Sequence, residues 1–174
     1  LSDVEFGDKL ETIGEGVFLC CRSLQKIKMP PVRTVGLGAF EYCEQLTDVE
    51  LPCVGTMGPR AFTGCPRLCR IAIPLKDNIF PLDIGCRRFT QFDKCENLTT
   101  VDLVEVEGIR KTISSLLLER WRDEMNQEIN RINQLLPNTH HTEKTDVIRL
   151  WIQSVIDRME HYKAEHNTLL KENM

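Results

Sequence analysis

Long apolar runs are missing from this chain: no stretch approaches the roughly 20 residues that a bilayer-spanning helix needs, so no membrane span is expected. Clusters of basic charge are missing too. Lys and Arg number 22 against 26 Asp and Glu, and the signs are interspersed, 12 basic and 14 acidic in 1–104 and 10 and 12 in 105–174. Neither part offers the positive patch that a phosphate backbone demands, so nucleic acid is not an expected partner. There is no Cys-x-x-Cys pair, no phosphate loop, no Ser/His/Asp set and no isolated pair of carboxylates. The expectation is a non-enzymatic protein without metal or cofactor. No secretory pattern opens the sequence, though a chain that starts at Leu1 and not at Met says little about location. What is present, 41% hydrophobic and 28% charged residues, is enough for a folded core.

The dominant feature is a period. Phe18, Phe40 and Phe62 are 22 residues apart, as are Cys21, Cys43 and Cys65, and Leu24, Leu46 and Leu68. Gly14, Gly36 and Gly58 keep the same step, with Ile27, Val49 and Ile71, and Pro30, Pro52 and Pro74 closing each unit. A fourth unit follows in which Phe92, Cys95, Leu98, Val101 and Leu103 each stand 30 after their counterparts, which implies eight extra residues between Lys76 and Arg88. Leu1, Val4 and Phe6 match the end of a unit whose turn is absent, so the chain is expected to be part of a longer array.

The chemistry of one unit dictates its shape. Leu46-x-x-Val49-x-Leu51 alternates as a half-buried strand does, and Pro52 ends it. Gly36 suits a tight bend, and Ala39-Phe40-x-x-Cys43 makes one compact apolar turn. A lone unit cannot bury these side chains, whereas stacked units share one core. The pattern Val-x-x-Ile-Gly-x-x-Ala-Phe-x-x-Cys-x-x-Leu-x-x-Ile-x-Leu-Pro, carried by about residues 1–104, resembles the BspA-type leucine-rich repeat. That resemblance implies a recognition surface and no conserved chemistry. The tail, with Ser114-Ser115-Leu116 and His161-Tyr162-Lys163-Ala164-Glu165-His166, is similar to the end of microalgal members of that family.

After Val104 the period becomes helical. Ile113, Leu117, Trp121, Met125, Ile129, Ile132 and Leu136 step by fours and threes, and Pro137 ends the run. Thr139 or Thr142 is the expected N-cap of a second helix, whose seam is Ile148, Ile152, Val155, Met159, Tyr162, His166 and Leu169. So short a connection predicts antiparallel packing. The predicted architecture is α/β: a leucine-rich-repeat solenoid of about four 22-residue coils over 1–104, then an antiparallel two-helix hairpin over 105–174.

Four groups of residues are candidate sites. Cys21, Cys43, Cys65 and Cys95 share one repeat position and are expected to be small buried residues, with cross-coil disulfides as the alternative; Cys20, Cys53, Cys69 and Cys86 fall outside that column as candidate exposed thiols. His140, His141, His161 and His166 lack the spacing of zinc ligands. On the strands, Lys26, Asp48, Arg70 and Thr100 share one position, and Lys28, Glu50, Ala72 and Asp102 another. Stacking sets such neighbours about 4.8 Å apart, so opposite charges meet either as a self-neutralising ladder or as a recognition face. On the hairpin, Val147, Leu150 and Trp151 are expected outside the seam, with Leu150 on the far side, and Leu116, Leu117 and Leu118 are expected to cover Val101 and Leu103. The candidate partner surface is therefore Lys26, Lys28, Asp48, Glu50, Arg70, Asp102, Val147, Leu150 and Trp151, for a protein partner or for self-association through the hairpin. An intracellular interaction module is the preferred role, and a cell-surface adhesion protein the alternative.

Overall fold

The computed structural model describes residues 9–81, 90–104 and 115–172, with backbone alone for 115–120 and for most residues after 162. Each of the first three repeat units contributes one short strand to each of two parallel sheets, and the fourth contributes a strand to the second sheet. The first sheet has the order β1-β3-β5, from Thr12–Ile13, Thr34–Val35 and Thr56–Met57. The second has the order β2-β4-β6-β7, from Lys26–Lys28, Asp48–Glu50, Arg70–Pro74 and Thr100–Val104. Ile27 pairs with Val49 and Val49 with Ile71, each 22 residues on; Ile71 then pairs with Val101 across the longer connection. Alternation sets the faces: Ile27 is buried between exposed Lys26 and Lys28, because successive strand residues point to opposite sides.

Between the strands the chain turns, and the turns are stitched as tightly as the sheets. Phe18 N donates to Ala39 O at 2.8 Å, Phe40 N to Ala61 O at 2.8 Å and Phe62 N to Gln91 O at 3.0 Å. Inside these turns the phenyl rings stack, with centroids 5.0 Å apart for Phe18–Phe40, 5.2 Å for Phe40–Phe62 and 5.9 Å for Phe62–Phe92. Columns of Leu and Cys run beside them: Leu46, Leu68 and Leu98, and Cys43, Cys65 and Cys95, are fully buried.

The repeated glycines serve closeness more than bending. A Cβ on Gly36 would stand 2.7 Å from the Gly14 carbonyl carbon, and one on Gly58 2.8 Å from Leu37 N, so adjacent units touch backbone to backbone there. Left-handed backbone sits elsewhere, at Gly16, Gly38 and Arg60, and again at Cys20, Tyr42, Gly64 and Lys94. The extra residues of the fourth unit enter late. Met57 N donates to Ile79 O at 2.7 Å, so Ile79 is still in step, and Phe80 is buried edge-on to Phe92 at 5.7 Å. The insertion therefore falls in the later part of the interval from Lys76 to Arg88.

Two helices follow, α1 (Ser115–Leu135) and α2 (Lys144–Glu172), joined through a 3-10 turn at Leu136–Asn138 that carries Pro137. Met125, Ile132 and Leu136 of the first run and Ile148, Ile152, Val155 and Met159 of the second are buried. Arg158 reaches Glu128 at 2.7 Å, and Tyr162 reaches Glu124. Thr139 and Thr142 do not cap α2: the Thr139 hydroxyl donates to Leu135 O at 3.0 Å, and Thr142 meets the His140 ring at 2.8 Å. Leu1, Val4, Phe6, Cys86, Ile113, the side chains of Leu116, Leu117, Leu118, His166 and Leu169, and the 104/105 boundary lie outside the described residues.

Candidate interaction surface

The outer face of the four-stranded sheet carries the charge pattern foreseen from the repeat. Lys28 Nζ lies 2.8 Å from Glu50 Oε1; Arg70 lies 2.9 Å from Asp48 and 2.5 Å from Asp102. Burial works against the charge on Arg70, but its contacts with Asp102 and Asp48 prevail and hold its pKa above the ordinary arginine value. Each such half-exposed pair contributes modestly, about 0.2–1 kcal/mol. Lys26 is exposed and has no carboxylate within ion-pairing distance among the described residues. This face is a flat polar ladder whose charges are largely spent on one another.

Helix α2 distributes its three candidates unequally. Leu150 is 70% exposed, as the helical spacing requires of a residue two positions from buried Ile148. Val147 is half-buried against the core. Trp151 departs from expectation: it is only 8% exposed, and its indole N–H has no acceptor among the described residues. Trp151 follows Ile148 by three and precedes Val155 by four, which puts it on their face of the helix. It belongs to the core and not to a partner surface.

The end of the repeat stack meets the loop between the helices. Lys144 is 1% exposed, and its ammonium donates to Cys95 O at 3.1 Å, Glu96 O at 2.7 Å and Leu98 O at 2.7 Å. Burial lowers its pKa, against an opposing pull from Cys95 and Glu96. Phe92 N donates to Thr145 Oγ1 at 3.3 Å, Lys94 N to His141 Nδ1 at 3.2 Å and Val101 N to Asn133 Oδ1 at 2.8 Å. His141 Nδ1 is also 2.9 Å from Asp93 Oδ1, so the nitrogen accepts from Lys94 when bare and donates to Asp93 when protonated. Sequence reasoning weighed His141 only as a metal ligand and passed over Asn133, Lys144 and Thr145. One signal was available: a lysine in the first turn opposes the helix dipole, and a broken local rule points to a tertiary partner.

The column cysteines are packing residues with one polar task each. Cys43, Cys65 and Cys95 donate to the carbonyls of Phe18, Phe40 and Phe62 at 3.2, 3.2 and 3.0 Å. The contact with Cys65, then burial, push the Cys43 thiol far up; for Cys65 the Cys43 contact pulls down, but the Cys95 contact and burial raise it strongly. Cys20, Cys53 and Cys69 are exposed thiols. No His/Cys/Asp/Glu group among the described residues is arranged to hold a metal, and no described helix is long and apolar enough to cross a membrane.

Residues 1–113 match the model of the BspA type leucine rich repeat region, in six copies. The chain belongs to the BspA-type leucine-rich repeat family. The match reaches past Val104, where the 22-residue step was expected to stop, and counts more copies than the four units marked by Phe18, Phe40, Phe62 and Phe92. No curated protein and no solved structure matches the chain. For a BspA-type repeat, the stacked Phe, Cys and Leu columns are the physical content of the family pattern.

Proposed function

We propose that this BspA-type chain is a short solenoid, closed by an antiparallel helical hairpin, that acts as a non-enzymatic protein-binding module. The observation carrying this is Leu150, 70% exposed on α2 and beside half-buried Val147. A large aliphatic side chain on the outside of a helix whose other face is already filled adds little to the fold, and together with half-buried Val147 beside it Leu150 is the apolar part of the proposed contact surface. The sheet face Lys26, Lys28, Asp48, Glu50, Arg70 and Asp102 is the second element of the surface. Its paired charges set specificity and register more than affinity, with Lys26 as its uncompensated charge among the described residues.

The test is capture of partners from the native source by the parent chain, by Leu150→Glu and by Lys26→Glu with Lys28→Glu, alongside sedimentation of each pure protein. The expected result is loss of a captured protein with Leu150→Glu, and weaker capture with the double lysine variant, while circular dichroism stays unchanged. A dimer that Leu150→Glu abolishes would assign the same patch to self-association. Identical capture and sedimentation for all three proteins would refute the proposed surface.

A further inference from the structure

The fourth unit carries a triplet that its counterparts lack. The chain has eight asparagines, and only Asn97 opens an Asn-x-Ser/Thr sequence, Asn97-Leu98-Thr99. The same positions in the earlier units read Ser23-Leu24-Gln25, Gln45-Leu46-Thr47 and Arg67-Leu68-Cys69. The middle leucine is a demand of the repeat core, whereas the residues on either side of it vary freely. Asparagine and threonine thus flank it in one unit alone. Such triplets also arise by chance, so the place the fold gives this one decides its meaning.

Leu98 is fully buried in column with Leu46 and Leu68, while Asn97 is exposed in a turn and Thr99 is half-buried just ahead of β7. A surface turn is where an acceptor asparagine has to lie. The backbone around Asn97 is held from the inner side. Lys144 Nζ takes the carbonyls of Glu96 and Leu98 at 2.7 Å each, and Thr99 N donates to Cys69 O at 3.1 Å. The Asn97 carboxamide is tethered as well, because Nδ2 donates to Pro66 O at 2.6 Å. A primary amide carries two N–H bonds. One holds Pro66, the other can be replaced, and the substituted nitrogen keeps its bond to Pro66.

We infer that Asn97 is an acceptor for an N-linked oligosaccharide. The donor is an oligosaccharide carried on a polyprenyl phosphate or diphosphate. Nδ2 of Asn97 bonds to the anomeric carbon, and the bond from that carbon to the phosphate oxygen breaks. The lipid phosphate leaves with the electron pair, and the displaced amide proton passes to a base of the transferring enzyme. Thr99 is a positioning residue, whose hydroxyl two residues on is the second group that enzyme reads. The chain therefore enters a compartment where such donors are used. The glycan stands on the outer side of the fourth unit, whereas Lys144 holds the inner side, so the contacts between helix and repeat survive the modification. Neither the Leu150 patch nor the charged sheet face is needed for it.

The test is the mass of the full chain isolated from its native source, before and after a peptide:N-glycosidase that removes the sugar and leaves aspartate at the acceptor position. Expected is a mass above that of the sequence, lost on treatment, with aspartate found at position 97. A second arm makes the full chain behind a cleavable export leader in a glycosylating eukaryotic host. Parent and Thr99→Ser should carry the glycan there, and Asn97→Gln and Thr99→Val should lose it. Thr99→Val keeps the β-branched shape and leaves Asn97 with its Pro66 bond, so loss in that variant separates acceptance of sugar from packing, and rescue by serine ties it to the hydroxyl. Mass is read on denatured protein, so a variant that folds poorly still reports. An unmodified Asn97 in the native protein overturns the inference, as does a parent chain that the host leaves bare or a Thr99→Val chain that still carries the sugar.

Discussion

Replacing Lys144 by methionine keeps most of the side-chain volume and deletes one ammonium from a buried site. Three carbonyls lose their donor: those of Cys95 and Leu98 in buried bonds, and that of Glu96 in a partly buried one. A buried carbonyl left without a partner costs about 1–3 kcal/mol, so the two buried ones cost about 2–6 kcal/mol together, while water takes over the third. Against this stands relief from burying a charge, a cost of several kcal/mol in its own right, which also drives the Lys144 pKa down. Because the lost donor is charged, the carbonyl losses lie toward the top of that range and prevail in part, and the variant is expected to be less stable by about 2–3 kcal/mol. For a chain of this size that lowers Tm by about 4–12 °C. Urea unfolding followed by circular dichroism gives the free energy, and hydrogen exchange at residues 92–98 gives its location, with faster exchange expected there first. A shift below about 1 °C with unchanged exchange in unit four would refute the reasoning, because the Lys144 contacts would then contribute nothing to holding helix and repeat together.

Phe40→Ala removes the middle of the ring column, where Phe40 is fully buried between Phe18 and Phe62; a loss of about 3–5 kcal/mol is expected in denaturant unfolding, and a Tm within a degree of the parent would dissolve the stacked-ring account. Gly58→Ala drives a Cβ to 2.8 Å from Leu37 N and should cost about 1–3 kcal/mol, whereas Gly55→Ala meets chiefly the mobile end of Lys76 and should cost less; equal melting curves would contradict the backbone-contact role. The Cys43 and Cys65 thiols have folded pKa values raised above the ordinary 9.0, so their contribution is complete below pH 9.0 and is lost as pH rises past it. The slope approaches about 1.4 kcal/mol per pH unit per thiol; urea unfolding between pH 8 and 11 should show this fall in the parent and a weaker one in Cys43→Ala with Cys65→Ala, and parallel curves would exclude the thiols as its source.

The repeat was legible because it is imposed several times over. Each unit meets the same neighbours, so the demand for a ring at 18, 40, 62 and 92, or for a small thiol at 43, 65 and 95, is written in the chain at a fixed step. The end of the stack is built once and carries no period. Asn133, His141, Lys144 and Thr145 are polar residues on helices and a loop, of the kind that usually face water, and only the fourth unit turns them inward. Trp151 was misplaced because a seam of alternating threes and fours was drawn too narrowly; a position about 40° from Val155 and about 60° from Ile148 on the wheel shares their burial. The glycine column was legible as a column, but its cause was not, since close approach of two backbones and a positive φ both select glycine. The left-handed site shared by Cys20, Tyr42, Gly64 and Lys94 left almost no trace, because only one of the four is glycine.

Gly64 and Tyr42 bear on how such arrays grow. A Cβ on Gly64 would lie 2.5 Å from Cδ1 of the Tyr42 ring, which rests in the space that glycine leaves open. The second and third units are thus a matched pair, and their order matters. Tandem duplication of the second unit would set one tyrosine behind another and push the first ring, already partly in solvent, off the neighbouring unit. Duplication of the third would follow glycine with glycine and leave a notch with nothing in it. The units share a pattern without being interchangeable, and recombination within the array has to move Tyr42 and Gly64 together.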